Sequence, residues 1–279
     1  MIQDIYPSRL DNSYIPRSFG EDDIIMCFDD NDCLLAADDD QRISFPTGRE
    51  ISANEPVYLF SVDGRGCFLS PLDNVSADGF VYKGLKQLRS CGSGKWLFAA
   101  YTAYHLRKWY SDNSFCGRCG SKTVHSPHER SLVCGCCGNT VYPRINPAVI
   151  VGVTKGDSML ITRYRRGYAH NALVAGFTEI GETLEQTVER EVMEETGVKV
   201  KNIRYYKSQP WGSAQDILVG FFCEAEESAV IHMDEKELRY AEWVRREKLV
   251  LQPDSASLTN EMMRVFRDQE PPFGKGRQP

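Results

Sequence analysis

The stretch that decides the fold runs from Gly176 to Val198 and reads GFTEIGETLEQTVEREVMEETGV. Within it, Thr183 suits the N-cap of a helix, and Gln186 follows three residues later in the arrangement of a capping box. Gly197 suits the position just after a helix, because glycine adopts left-handed backbone conformations without strain. The sequence therefore predicts a helix over residues 184–196.

The glutamates of this helix continue its aliphatic stripe. Leu184, Val188, Glu191 and Glu195 fall within an arc of about 60° on one side of the helix, and Glu194 lies beside them. Like charges at this spacing repel by ~0.2–0.5 kcal/mol even on an exposed helix, so a cation should offset them. Clustered carboxylates suit Mg²⁺ or Mn²⁺. The alternative is an acidic surface helix whose patterning is accidental.

The chain carries two CxxC pairs, Cys116 with Cys119 and Cys134 with Cys137, separated by fourteen residues. Each pair can present two thiolates from a tight turn, and two such turns close a tetrahedral zinc site. Two disulfides or redox-active dithiols are the alternative. Cys136 is a spare thiol that could replace Cys137 as a ligand. Four thiolates leave no open position for water or substrate, so a zinc ion held here would be structural.

The composition is that of a globular protein long enough for two domains, with 279 residues of which 42% are hydrophobic and 26% charged. The formal charge of −6 implies no broad basic surface, which argues against tight non-specific nucleic-acid binding. The first residues lack a charged leader followed by an apolar run. The longest apolar run, residues 147–153, is far too short to cross a bilayer. We therefore expect a soluble cytoplasmic protein.

Changes in pattern along the chain predict its organisation. Residues 1–111 should form a β-rich domain that ends in a helix over about 94–111. The cysteine pairs define a zinc ribbon at 112–141, and an α/β domain follows at 142–268. Residues 269–279, rich in proline, glycine and charge, are expected to be a disordered tail.

The stretch from Gly176 also matches a known pattern at every fixed position: Gly-x5-Glu-x7-Arg-Glu-apolar-x-Glu-Glu-x-Gly-apolar. It resembles the Nudix box. The resemblance implies an α/β fold, an α/β/α sandwich with a mixed sheet, preceded here by the β-rich domain and the zinc ribbon. It also implies a hydrolase that cleaves nucleoside diphosphates linked to another group.

The resemblance further implies roles for individual residues. A divalent metal, Mg²⁺ or Mn²⁺, would be held by Glu191, Glu195, Glu237 and the backbone carbonyl of Ala175. Glu191, Glu194 and Glu195 would form the catalytic group, and Glu182 would support the geometry of the loop and helix. Metal ions neutralise phosphoryl oxygens and lower the pKa of bound water, and a carboxylate then takes the proton. The sequence does not choose among Glu191, Glu195 and Glu237 for that last role.

The order of motifs resembles the bacterial NADH pyrophosphatases, whose members also remove NAD caps from RNA: a zinc ribbon, Tyr142-Pro-Arg, the Nudix box, then Ser208-Gln-Pro-Trp. This implies that NADH or NAD⁺ is hydrolysed to NMN(H) and AMP, that NAD-capped RNA is a further substrate, and that the protein is a homodimer. The substrate contacts implied by the resemblance are Tyr142, Phe177, Gln209, Pro210, Trp211, Gly212, Ser213, Ala214, Gln215, Asp216, Lys86, Glu129 and Thr259.

One departure from that subfamily concerns its motif Ser-Gln-Pro-Trp-Pro-Phe-Pro-x-Ser. Residues 208–216 here read Ser-Gln-Pro-Trp-Gly-Ser-Ala-Gln-Asp. The loss of two prolines and a phenylalanine predicts a more flexible and less apolar loop, and Asp216 adds negative charge near the expected substrate. The preference for NADH is therefore open. The alternatives are a hydrolase of another nucleoside diphosphate derivative, such as ADP-ribose, and a zinc-ribbon nucleic-acid-binding protein with a degenerate Nudix domain.

Overall fold

The computed structural model describes residues 1–92, 94–167 and 170–273. The chain divides into two compact units. The N-terminal unit comprises Ile2–Ile145 together with the short segment Trp211–Gln215, and the C-terminal unit comprises Met1, Asn146–Pro210 and the chain from Asp216 onwards.

The N-terminal unit begins with short strands and two helices, in the order β1 (Leu10–Asp11), β2 (Ile24–Met26), β3 (Leu34–Ala37), β4 (Val57–Val62), β5 (Arg65–Leu69), β6 (Phe80–Lys83), α1 (Leu85–Ser90) and α2 (Lys95–Asp112). Four strands form a sheet in the order β1–β4–β5–β2, and β3 pairs with β6. The strands are rich in buried aliphatic and aromatic residues, which favour pleated structure.

Helix α2 is the longest helix, with 18 residues, and it begins and ends within one residue of the predicted span. Its alanines and Leu97 are buried, and so are Trp109 and Tyr110. The rings of that aromatic pair lie 4.5 Å apart, so they pack inside the chain. None of the helices in the described ranges has the length and apolarity needed to cross a membrane.

The cysteine-rich segment forms a small antiparallel sheet in the order β7–β8–β9, with strands Thr123–His125, Leu132–Cys134 and Thr140–Val141. Its residue pairs run from Thr123 opposite Cys134 to Val133 opposite Thr140. The sheet places one cysteine pair before β7 and the other at the turn between β8 and β9.

The C-terminal unit is built on a six-stranded sheet. Its elements are β10 (Asn146–Lys155), β11 (Ser158–Tyr164), β12 (Val174–Phe177), α3 (Leu184–Thr196), β13 (Val200–Trp211), β14 (Asp216–Ala225), β15 (Leu238–Arg245), a 3₁₀ turn (Arg246–Lys248) and α4 (Leu258–Arg267). The strand order is β13–β14–β10–β11–β15, and β12 pairs with β10. Strand β10 runs parallel to β14 and antiparallel to β11 and β12. The predicted mixed sheet is confirmed.

Alternate residues of the central strands face opposite sides of this sheet. Val151 packs in a core with Val188 and Val192 of α3. Its neighbour Ile150 packs in a second core with Met262 of α4. One helix therefore covers each face, and the α/β/α sandwich expected from the sequence is confirmed.

The segment after α4 differs from the prediction of a disordered tail. The ring of Phe273 lies 4.7 Å from that of Phe222 and 5.2 Å from that of Phe266, both edge-on. This aromatic contact holds the chain against the core as far as residue 273. Residues 274–279, the rest of the predicted tail, lie outside the described residues.

Candidate active site

Helix α3 has the bounds and the caps that its sequence predicts. The backbone N–H of Gln186 donates to the hydroxyl oxygen of Thr183 at 3.2 Å, and the Gln186 side chain accepts from the Thr183 N–H at 2.8 Å. Gly197 ends the helix with a φ of +67°, in the left-handed region that glycine favours. These local bonds fix where the helix starts, and so which way its glutamates point.

Of the three glutamates Glu191, Glu194 and Glu195 of α3, the first and last point into the C-terminal unit and Glu194 lies at its surface. Glu195 is 2% exposed and the Glu191 side chain is mostly buried, whereas the Glu194 side chain is 60% exposed. The aliphatic stripe therefore leads into two buried carboxyl groups, as the helical pattern predicted.

Arg190 organises the carboxylates around it. Its Nε and Nη2 atoms donate to the two oxygens of Glu182, at 2.6 and 2.9 Å. Its Nη1 donates to Glu191 at 2.7 Å and to Glu194 at 3.0 Å, and Nη2 also reaches the carbonyl oxygen of Phe177 at 2.8 Å. The bonds from Arg190 lower the pKa of Glu182 to about 2. One guanidinium thus joins the loop before the helix to the face that carries the glutamates.

Tyr164 brings together two of the predicted metal ligands. Its hydroxyl lies 3.0 and 3.3 Å from the carboxylate oxygens of Glu195 and 3.4 Å from the carbonyl oxygen of Ala175. The backbone N–H of Ala175 donates to the same hydroxyl at 3.1 Å. Burial raises the pKa of Tyr164, so the phenol stays protonated and able to donate. The sequence contains no motif that points to this residue.

The environment of Glu195 favours a nearby cation. Burial raises its pKa to about 8, and the negative charges of Glu191 and Glu237 act in the same direction against the hydrogen bond from Tyr164. Burial also raises the pKa of Glu191. Within the described ranges, no lysine, arginine or histidine forms an ion pair with Glu195. The Glu191, Glu195 and Glu237 carboxylates and the Ala175 carbonyl are hard oxygen donors of the kind that Mg²⁺ and Mn²⁺ take, so the chemistry of these residues fits such an ion. Glu237 is exposed, and among the described residues the three carboxylates do not form a compact group like that of the cysteines.

Gly176 makes room for one of these carboxylates. A Cβ atom at residue 176 would lie 2.0 Å from Cδ of Glu191, far inside van der Waals contact. A side chain at residue 176 would therefore force the Glu191 carboxyl group to move from the place where it lies on the backbone of β12.

The four paired cysteines form a compact cluster of sulfur ligands. Their Sγ atoms all lie within 4.8 Å of one another, the one group of three or more such ligands found in the part of the chain that the structure describes. Cys116 and Cys137 are 3.6 Å apart and Cys119 and Cys134 are 3.5 Å apart, too far for disulfides. A zinc ion with bonds of about 2.3 Å separates its thiolates by about 3.8 Å. The cluster is a structural zinc site, and the exposed Cys136 stands outside it.

The N-terminal unit contains three predicted substrate contacts, Tyr142, Glu129 and Lys86, in addition to those in its segment Trp211–Gln215. The hydroxyl of Tyr142 donates to a carboxylate oxygen of Glu129 at 2.9 Å, and the tyrosine ring is exposed. Lys86 is exposed on α1. Tyr142 and Glu129 are thus hydrogen-bonded to each other although they lie 13 residues apart in the sequence.

The loop that departs from the subfamily motif is held by packing. The ring of Trp211 contacts that of Tyr101 at 5.1 Å, and a Cβ atom on Gly212 would lie 2.0 Å from the Tyr101 carbonyl oxygen. Gln215 accepts hydrogen bonds from Arg144 at 2.8 and 3.1 Å. These contacts join the segment to Tyr101 and Arg144. The exposed positions of the loop are Ser213 and Ala214.

The remaining predicted contacts belong to the C-terminal unit. Phe177 has 53% of its surface exposed, so its ring is accessible for stacking. Gln209 is 0% exposed: its amide donates to the carbonyl of Ala256 and accepts from the N–H of Leu258. The whole of Gln209, backbone included, is therefore shielded from solvent in this structure. Pro210 is exposed, Thr259 is half-buried on α4 and Asp216 is buried at the start of β14.

Comparison with known proteins agrees with these two sites. A family model described as the NUDIX domain matches residues 144–266, and one described as the NADH pyrophosphatase zinc ribbon domain matches residues 111–142. The first match contains the whole of α3 with its carboxylates, and the second contains all four clustered cysteines.

Similar proteins cover most of the chain. The NAD-capped RNA hydrolase NudC of Escherichia coli O1:K1 / APEC is 40% identical over 212 residues, which are 75% of this chain and 76% of the relative. NudC of Citrobacter koseri is 40% identical over 161 residues, 57% of this chain and 62% of that protein. A solved NUDIX hydrolase from Nitrosomonas europaea aligns with a TM-score of 0.49 at 18% identity, covering 59% of this chain and 96% of its own.

The matched domains, the level of identity and the arrangement of the two sites agree. This chain belongs to the Nudix hydrolase family, in the group that joins a Nudix domain to the NADH pyrophosphatase zinc ribbon.

Proposed function

We propose that this hydrolase cleaves the diphosphate bond of NADH or NAD⁺ to give NMN(H) and AMP, and that it removes NAD caps from RNA. The observation that carries the proposal is the buried Glu195 carboxylate, which Tyr164 holds beside the Ala175 carbonyl without a cationic partner among the described residues. The similarity to NAD-capped RNA hydrolases supports the choice of substrate.

The proposed ion ligands are Glu191, Glu195, Glu237 and the carbonyl of Ala175, with Mg²⁺ or Mn²⁺ as the ion. A divalent ion bound there neutralises the phosphoryl oxygens and lowers the pKa of water. The oxygen of one water molecule bonds to phosphorus, the bridging P–O bond breaks, and each half leaves as a phosphate monoester. The proton of the water passes to a carboxylate of this group, Glu191, Glu195 or Glu237.

Arg190 has a positioning role in this proposal. All three of its nitrogens already donate to Glu182, Glu191, Glu194 or the Phe177 carbonyl, so it orients the carboxylates and does not bind the diphosphate. The exposed ring of Phe177 is proposed to stack on the nicotinamide or the adenine. The other proposed substrate contacts are Tyr142, Glu129, Lys86, Thr259 and residues 209–216.

Two further properties are part of the proposal. Within the described residues no cysteine is in a disulfide, which fits a reducing compartment such as the cytoplasm. We also propose a homodimer as the working form, as the resemblance to the subfamily implies. Sedimentation of the purified protein at several concentrations tests the dimer, and a single monomer mass throughout would reject it.

The substrate assignment is tested with a panel of NADH, NAD⁺, ADP-ribose and NAD-capped RNA, each with Mg²⁺ and with Mn²⁺, and products identified by mass spectrometry. We expect NMN(H) and AMP from the dinucleotides, and NMN with a 5′-monophosphate RNA from the capped substrate. Glu195→Gln is the matched inactive control.

A second candidate, a hydrolase of another nucleoside diphosphate derivative, is favoured by the altered residues 212–216. Equal kcat/KM values for ADP-ribose and NADH would support it and remove the NADH assignment. The remaining alternative, a zinc-ribbon nucleic-acid-binding protein, predicts no hydrolysis of any panel member and steeply salt-dependent binding of unmodified RNA.

A further inference from the structure

A basic cavity of about 490 Å³ lies in the C-terminal unit, lined by Tyr164, Arg165, Arg166, Lys236 and Glu237. Three of the five side chains carry a positive charge. Tyr164 is the last residue of β11 and Arg165 follows it, whereas Lys236 belongs to the turn before β15. The cavity therefore forms where these two neighbouring strands meet their loops.

The cavity adjoins the carboxylates of the candidate active site through two shared residues. Tyr164 lines it and also contacts Glu195. Glu237 lines it and lies close enough for its charge to act on both Glu195 and Glu191. When the diphosphate of a substrate lies at the carboxylates, the part of the substrate beyond the diphosphate is therefore within reach of the basic residues.

The cations of this cavity are available for an anion. Within the described ranges none of Arg165, Arg166 and Lys236 forms an ion pair, although Arg190 of α3 and Arg264 of α4 do. Arg165 is fixed by its Nε, which donates to the carbonyl oxygen of Glu235, and by its backbone N–H, which donates to the Glu237 carbonyl at 2.9 Å. Arg166 and Lys236 are exposed. The backbone N–H of Lys236 donates to a carboxylate oxygen of Asp234 at 2.8 Å, but within the described ranges neither the Arg166 nor the Lys236 side chain is hydrogen-bonded.

We propose that this cavity binds a third phosphate group of the substrate, carried by the adenosine half beyond the diphosphate that is cleaved. The inference rests on the proposed function, since it places the diphosphate at the carboxylates. Two sources carry that chemistry: the 3′-phosphodiester that joins a NAD cap to RNA, and the 2′-phosphate of NADPH. NADH has neither and serves as the reference substrate.

The test compares kcat/KM for NADH, NADPH and a NAD-capped decaribonucleotide in the wild type and in Arg166→Gln/Lys236→Gln. Arg165 is left intact because of its bonds to the turn. We expect kcat/KM for the substrate with the third phosphate to fall by roughly threefold to thirtyfold more than kcat/KM for NADH. A fall confined to capped RNA assigns the diester, and one confined to NADPH assigns the monoester.

The matched control is Lys201→Gln/Arg204→Gln, which removes the same two charges from a different cavity of the same unit. This control should leave the selectivity between substrates as in the wild type. An equal loss of selectivity in both double variants would overturn the proposal, since net charge would then be the cause. An equal fall for all three substrates in the Arg166 and Lys236 variant would also overturn it, because the cavity would then bind the diphosphate itself.

Binding without turnover separates this inference from the proposed function. The anisotropy of a 3′-labelled, NAD-capped decaribonucleotide is measured without Mg²⁺ or Mn²⁺, over a series of salt concentrations. Loss of the one phosphate contact should reduce the slope of log K against log salt by about 0.7, and an unchanged slope would overturn the proposal. A wild type that hydrolyses none of the substrates rejects the proposed function, whereas the anisotropy still decides whether the cavity binds a phosphate.

Discussion

Gly176 and Glu191 are in direct contact across the gap between β12 and α3, with the carboxyl group lying on the glycine backbone. The space for a Cβ atom on residue 176 is already filled, since that atom would lie 2.0 to 2.3 Å from the three carboxyl atoms of Glu191. The position of the Glu191 carboxylate, a proposed metal ligand, therefore depends on a residue with no side chain.

Gly176→Ala should displace Glu191 and lower kcat for NADH by roughly tenfold or more, because misplacing a reacting group by about 1 Å can cost about a hundredfold. The far-ultraviolet circular dichroism spectrum should stay that of the wild type. Gly117→Ala is the control, since a Cβ atom there meets nothing within 4 Å. Wild-type turnover by the Gly176 variant would show that Glu191 is not needed where the structure places it.

Glu195→Gln keeps the size of a buried side chain but removes its charge. We expect turnover to fall by at least about a hundredfold, while the protein folds normally, because the amide can still hydrogen-bond to Tyr164. Single-turnover assays with NADH and thermal unfolding measure the two effects. Turnover within a few-fold of the wild type would reject the role of Glu195.

The stability of the protein without added Mg²⁺ or Mn²⁺ should depend on the protonation of Glu195. Its pKa is raised from an ordinary value of 4.5 to about 8. Between these pH values the native state holds a proton that the unfolded chain has released, so this group's contribution to the unfolding free energy falls as pH rises. Relative to Glu195→Gln, the wild type should therefore lose stability from pH 4.5 to 8 in urea unfolding. A difference that stays constant with pH contradicts the raised pKa.

Cys116→Ser should release zinc and lower Tm by at least about 5 °C, because a structural zinc site contributes its binding energy to folding. Cys136→Ser provides the control: it also removes a thiol of the ribbon, but one outside the cluster. That variant should keep its zinc and its Tm, as measured by elemental analysis and calorimetry. If both variants keep their zinc, Cys116 is not a ligand.

The local features of the site could be predicted because neighbouring residues determine them. The caps at Thr183 and Gly197 depend on residues within one or two turns, and the spacing of the cysteines sets the geometry of their turns. For these features, sequence patterns and structure agree.

The contacts that complete the site join residues far apart in sequence. Tyr164 precedes Glu195 by 31 residues, and no periodicity links a tyrosine at the end of a strand to a glutamate on a helix. The buried amide of Gln209, which bonds to both Ala256 and Leu258, was predicted only as a substrate contact. The sequence shows that such residues exist, whereas only the packing of the sheet shows what they touch.

The hydrogen bonds of Arg190 also bear on how the site meets its ion. Ordering a glutamate or arginine side chain costs up to about 2 kcal/mol in lost rotamer freedom. Because Arg190 already holds Glu182, Glu191 and Glu194, most of that entropy is lost while the chain folds. An arriving cation then meets carboxylates that need little further restriction, and its affinity reflects charge and coordination more than the freezing of mobile side chains.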